Sequence, residues 1–163
     1  MNERVRQFLS HPAHWVAMGL GSGLSPQAPG TVGTLWAWAA YGVLQTWFDP
    51  WEMGWVILLS LLVGWWACTV SARRLALADP GCIVWDEVVA FWLILWLLMP
   101  ASFLTQLVAF ALFRFFDAVK PGPVAWADRV FKGNGWVGGW GILFDDLVAA
   151  FCTLLVFALW RSL

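Results

Sequence analysis

Charge is scarce in this 163-residue chain: Asp, Glu, Lys and Arg make up 12% of it, against roughly 25% in an ordinary soluble domain. There is no basic run and the net charge is −1, so a nucleic-acid surface has nothing to be built from. Cysteines number three, Cys68, Cys82 and Cys152, with no CxxC pair. No disulfide framework is expected, and they read as small core residues. The stretch before His11-Pro12 has no apolar run, so no signal peptide is expected there. Tyrosine occurs once, against fifteen Trp and twelve Phe, and many of those rings suit a lipid–water boundary.

What remains is apolar. Hydrophobic residues form 61% of the chain, and mean hydropathy is +0.74. The expected fold is an all-α integral membrane protein, a single domain over 1–163. About four to five transmembrane or half-membrane helices would form a bundle, with the active site at its cytoplasmic rim. Apolar segments run over 34–48, 54–72, 88–99, 101–116 and 139–160, and Pro100 divides the third from the fourth. The third and fourth are each short for a hydrocarbon core of ~30 Å and form either two short crossings or a re-entrant hairpin. Asp49-Pro50-Trp51-Glu52 reads as a turn, with Trp47, Trp51 and Trp55 as interface anchors. If each segment reverses side, the loops at 1–33, 73–87 and 117–138 share one face. That face carries Arg4, Arg6, Arg73, Arg74, Lys120, Arg129 and Lys132, with Arg114 close by, whereas the other has only Arg161. The positive-inside rule makes the first face cytoplasmic.

The last apolar segment carries two adjacent acids, Asp145 and Asp146. One charge at the centre of a membrane helix costs at least ~2.5 kcal/mol, so two of the same sign call for a cation. Asp86 and Glu87 open one helix and Asp117 closes another on the same rim. Small residues beside the acids, Ala90, Gly141, Ala149 and Ala150, let helices approach closely. Asp86, Glu87, Asp117, Asp145 and Asp146 are thus the candidate metal ligands and catalytic carboxylates, and hard oxygen donors favour Mg²⁺. Arg114, Asp117 and Lys120 recur at i, i+3 and i+6 and can share one side of a helix end. There Arg114 and Lys120 suit a phosphate oxyanion. Residues 19–33 hold five Gly, two Pro and small hydroxyl residues. That run is expected to be irregular, a backbone cradle with Ser22, Ser25 and Thr31 at the substrate phosphate or headgroup, and Thr34 capping the next helix. It is no Walker A motif, because the GK[ST] ending is absent. Asp128 and Arg129 read as solvated loop residues, and His11 and His14 as surface-proximal residues without a ligand role.

At these residues the sequence resembles the phosphatidylglycerophosphatase A family. The likeness covers about 15–155 in three blocks. The first is Gly21-Ser-Gly-Leu-Ser-Pro-Gln-Ala-Pro-Gly-Thr-Val-Gly-Thr34, and the second is Ile83-Val-Trp-Asp-Glu-Val-Val89. The third combines Phe113-Arg-Phe-Phe-Asp-Ala-Val-Lys-Pro-Gly-Pro123, Asp128-Arg129 and Gly141-Ile-Leu-Phe-Asp-Asp-Leu-Val-Ala149. The resemblance implies Mg²⁺-dependent hydrolysis of phosphatidylglycerol phosphate to phosphatidylglycerol and inorganic phosphate, at the cytoplasmic leaflet of the bacterial inner membrane. Ala90 and Ala150 stand where that family usually has Gly, and the Trp-rich run before Asp145 is longer than usual. Rival readings are a polyprenyl-diphosphate phosphatase, separable by a substrate panel, and a small ion transporter or channel, which predicts flux without hydrolysis. A CDP-alcohol phosphotransferase would need a DG-x₂-AR-x₈-G-x₃-D-x₃-D run, which is absent.

Overall fold

The segment from Trp85 to Leu98 is apolar on nearly every side, and a helix of that kind has to be surrounded by others. The computed structural model describes residues 3–162, apart from the side chains of Glu3, Arg4, Gln7 and Leu9, and every regular element in it is helical. Arg4, assigned above to the basic face, therefore has its side chain outside the described residues. In chain order the helices are α1 (Glu3–Ser10), α2 (Pro12–Ala17), α3 (Pro29–Leu44), α4 (Pro50–Leu75), α5 (Trp85–Leu98), α6 (Phe103–Val119), α7 (Pro123–Val130) and α8 (Trp136–Ser162), with a 3₁₀ segment over Gly19–Leu24. α5 is the central helix: ten of its fourteen residues are buried, and α3, α4, α6 and α8 all pack on it.

Two helices, α4 and α8, are long and apolar enough to cross a bilayer. At ~1.5 Å per residue they reach ~39 and ~40 Å, whereas α3, α5 and α6 span only ~21–25 Å. The α5–α6 connection carries a cis Met99–Pro100 bond, and Ser102 caps α6 by accepting from the Thr105 N–H.

Within the secondary structure, five departures from the sequence reading stand out. The 19–33 run is not irregular throughout, because its last five residues are the first turn of α3, entered through Ala28 in the left-handed region (φ 45) and Pro29 at the start. Glycine there serves packing: a Cβ on Gly33 would press into the Val84 side chain. Thr34 consequently lies inside the helix, where its hydroxyl donates back to the Gly30 carbonyl at 2.8 Å instead of capping. Asp49-Pro50-Trp51-Glu52 is the start of α4, not a free turn. Asp49 accepts from the Trp51 and Glu52 N–H groups while Glu52 accepts from the Asp49 N–H, a closed capping box. The N-terminal stretch read as merely polar contains α1 and α2, and the 117–138 loop contains α7.

Tryptophan does more than mark an interface. Trp47, Trp51 and Trp55 are indeed exposed, but Trp85 and Trp92 are buried. Indole N–H groups tie helices together: Trp92 to the Ala37 carbonyl at 2.8 Å, Trp85 to Ser60 at 3.0 Å, Trp38 to the Gln106 side chain at 2.7 Å and Trp65 to Trp136 at 2.8 Å. Each satisfies its one polar atom at a carbonyl, as burial of that ring requires. Close approach of α4 and α8 depends on Gly139, where any Cβ would collide with Thr69. Among the described residues no disulfide joins the three cysteines. His11 accepts from the Ala13 N–H and caps α2, while His14, buried, meets the Ser71 hydroxyl at 2.9 Å and ties α2 to α4. Burial, with help from His11 and Arg74, holds the His14 imidazole below its usual 6.5.

Candidate active site

Successive residues on an α-helix point about 100° apart, so neighbouring acids on α8 must face different partners. Asp146 turns toward the first turn of α5. One carboxylate oxygen each from Asp86, Glu87 and Asp146 lies within 4.8 Å of the others. Asp117, near the end of α6, also lies against Asp146. Asp145 turns the other way, to Lys120 at 2.5 Å.

Lys120 explains why two groups form instead of one. It sits at the C-cap of α6 with left-handed backbone (φ 48), which swings its side chain off the helix line. Arg114 and Asp117 do share a side and pair at 2.6 Å, but Lys120 leaves them for Asp145 and for Asp128 at 2.6 Å. The expected alignment of all three on one side is therefore corrected by that cap. Burial alone would lower the Lys120 pKa. Hydrogen bonds to Asp128 and Asp145 outweigh it and raise the ammonium above its usual value. Asp128, read from sequence as solvated, accepts from Lys120 and from Lys132 at 2.9 Å, and these contacts hold its carboxyl below the usual range against some burial. Arg129 does remain exposed, bonded to the Ala125 carbonyl.

The first group carries an excess of negative charge. Arg114 reaches Asp117, Glu87 at 3.6 Å and the Thr34 hydroxyl at 3.4 Å, whereas Asp86 and Asp146 make no ion pair among the described residues. Asp86 Oδ1, Glu87 Oε2 and Asp146 Oδ2 are buried without a hydrogen-bond partner. Buried carboxylate oxygens are paired or bind metal as a rule. Three hard oxygens at this spacing fit a small divalent cation.

Of the glycine-run residues expected at the headgroup, Ser22 donates to the Gly19 carbonyl and Ser25 to that of Gln27, while Thr31 is half-buried in the first turn of α3. Beside the acid group lie Gly30 of that run, against Glu87, and the next helix residue after the run, Thr34, against Arg114. A Cβ on Gly30 would overlap the Glu87 carboxylate and approach the Arg114 guanidinium. Sequence reasoning missed Gly30, Thr34 and Asp128. The i, i+4 spacing of Asp128 and Lys132 was the available signal for the last.

Carboxylates from three helices face an arginine in an all-α frame with two membrane-length helices, and the class to which the chain's relatives assign it is a hydrolase of phosphoric monoesters. The family model described as Phosphatidylglycerophosphatase A matches residues 15–161, and the chain belongs to that family. It is 39% identical over 147 residues to Phosphatidylglycerophosphatase A of Escherichia coli (strain K12), covering 90% of this chain and 81% of the relative. It is 37% identical over 153 residues to Phosphatidylglycerophosphatase A of Haemophilus influenzae, covering 93% and 90%. A Bacteroides thetaiotaomicron relative, 35% identical over 156 residues and covering 90% and 91%, is provisionally named a phosphatidylinositol-3-phosphatase. No solved structure matches the chain.

Proposed function

We propose that this enzyme hydrolyses phosphatidylglycerol phosphate to phosphatidylglycerol and inorganic phosphate, with Mg²⁺, at the cytoplasmic leaflet of the bacterial inner membrane. The observation that carries the metal requirement is the trio of buried, unpartnered oxygens on Asp86, Glu87 and Asp146. Those three side chains would hold the ion, which when bound supplies Lewis-acid polarisation of the phosphoryl group.

The remaining roles fall to side chains with defined partners. Arg114 holds the phosphoryl oxygens and neutralises the charge that grows on them, its guanidinium set by Asp117, Glu87 and Thr34. Asp117 takes the proton of the attacking water as the new P–O bond forms. It returns that proton to the glycerol oxygen as the ester P–O bond breaks. Lys120, clamped by Asp128 and Asp145, adds positive charge beside the phosphate and fixes Asp145. The membrane placement rests on α4 and α8 together with the basic residues gathered at the acid-bearing end, Arg73, Arg74, Lys120, Arg129 and Lys132, against Arg161 at the far end of α8.

The test is phosphate release by the purified protein in detergent, with phosphatidylglycerol phosphate or phosphatidylinositol 3-phosphate, with Mg²⁺ or a chelator. Release from the first lipid, lost with chelator and restored by Mg²⁺, is expected. Absence of release with Mg²⁺ present, or a clear preference for the inositol lipid, would refute the assignment.

A further inference from the structure

The short helix α7 has two apolar sides, and only one of them meets protein. Residues on a helix turn by about 100° each, so Val124 and Ala127 share a side, and both are buried where α7 packs on α8. Asp128 lies beside them and reaches Lys120 at 2.6 Å, which in turn holds Asp145. Pro123, Trp126 and Val130 form the opposite side. All three are exposed, Trp126 by 56% and Val130 by 44%. Arg129 borders that side, also exposed, and pairs with no acid among the described residues. A helix facing water carries polar residues on its outer side; this one carries a proline, an indole and a valine.

The depth of that side follows from α8. Trp140 and Trp160 are twenty residues apart on it, ~30 Å at ~1.5 Å per residue, which matches a hydrocarbon core. Tryptophan favours both boundaries of such a core. Phe144 and Asp145 come four and five residues after Trp140, and so lie ~6–8 Å to the lipid side of it. α7 sits at their level. The Trp126 ring is 6.1 Å from Phe144, the Phe131 ring just after α7 is 5.0 Å from it, and Asp128 shares Lys120 with Asp145. Helices lying at a membrane surface bury an apolar face by ~5–10 Å, so the two depths agree. The end of α6 that leads into α7 exposes Phe115 and Val119 as well. Arg129 and Lys132 add the positive charge that anionic headgroups attract.

Building on the membrane-enzyme reading, we propose that α7 is a lipid contact: Pro123, Trp126 and Val130 lie beneath the headgroups at the acid-bearing end, with Arg129 among them, and this seating holds Asp128 on Lys120. Asp128 is then a positioning residue, and the bilayer surface helps to place Lys120 beside Asp145.

The first test reads contact without turnover. The photoreactive residue p-benzoylphenylalanine replaces Trp126 or, in a second protein, Val130, and each is reconstituted in phosphatidylethanolamine–phosphatidylglycerol vesicles. Irradiation should give phospholipid adducts at both positions, as at exposed Leu159 on α8, and none at exposed Asn134 before it. Labelling at 159 without labelling at 126 and 130 would put α7 in water and overturn the proposal, as would equal labelling at 134. The second test reads the link to Lys120. Trp126→Gln with Val130→Gln should lower kcat on phosphatidylglycerol phosphate in vesicles about tenfold, and Asp128→Asn about as much. The triple variant should be no worse than Asp128→Asn, because residues acting through one contact are not additive. Losses that multiply would overturn the link. Adducts at 126 and 130 with no phosphate release by the unaltered protein keep the lipid contact and refute the assigned reaction, whereas release with adducts at 159 alone does the reverse.

Discussion

Replacing Gly30 by Ala separates the chemistry of this protein from its stability. An added Cβ would overlap the Glu87 carboxylate and lie 3.0 and 3.2 Å from the two terminal nitrogens of Arg114. Restoring ordinary contact requires the carboxylate to retreat by about 1 Å, and a misplacement of that size costs about 10²-fold in rate. Both affected groups belong to the proposed machinery, one as metal ligand and one as phosphate holder. The fold itself has little to lose, because Ala is more favourable than Gly in a helix by up to ~1 kcal/mol. The expected result is therefore a kcat/KM for phosphatidylglycerol phosphate lowered about 100-fold, with thermal unfolding in detergent unchanged or slightly raised. Gly42→Ala, in the same helix but with no atom within 4 Å of the new Cβ, serves as the matched control and should retain full activity. Wild-type kinetics in a folded Gly30→Ala protein would show that Glu87 and Arg114 are not where catalysis occurs.

Asp146→Asn should lower kcat/KM by at least ~10²-fold, since changes one shell further from a metal already cost 10–100-fold. The same variant should melt higher than wild type in chelator, because one of three crowded carboxylates becomes neutral; a lower melting point there would contradict the crowding. Lys120→Ala leaves buried Asp145 without a cation and should destabilise by about 1–3 kcal/mol, whereas Lys132→Ala, at an exposed pair, should cost under ~1 kcal/mol. Chemical unfolding in mixed micelles orders the two, and the reverse order refutes the ranking. His14 has its folded pKa below the unfolded 6.5, so its contribution is complete above pH 6.5 and is lost as pH falls through the folded value. A His14→Gln protein should show a flatter dependence of Tm on pH between 7 and 5; an unaltered slope would exonerate that residue.

Much of this was readable from the chain because membrane-length apolar runs and paired acids are rare together. Asp145-Asp146 inside residues 139–160 announced both a long helix and a charged site. Rim geometry was less legible. Nothing in the spacing of Arg114, Asp117 and Lys120 reveals that Lys120 terminates its helix with positive φ and so joins Asp145 instead of Asp117. The glycine run illustrates a different difficulty. Glycine signals irregular backbone and close packing alike, and only the partners, Val84 for Gly33 and Glu87 for Gly30, show which applies. Trp85 and Trp92 were lost among interface aromatics for the same reason, since burial depends on what α5 meets and not on the ring itself.

The placement of α5 has a bearing on biogenesis. Asp86 and Asp146 are sixty residues apart, and the helix bearing Asp146 leaves the ribosome after α5, α6 and α7. On the proposed site, a nascent chain is inert until α8 docks, with Asp86 and Glu87 held on a 14-residue segment too brief to settle in lipid unaided. The proposal then expects that two coexpressed pieces cut between α6 and α8 have to find each other before either acquires activity.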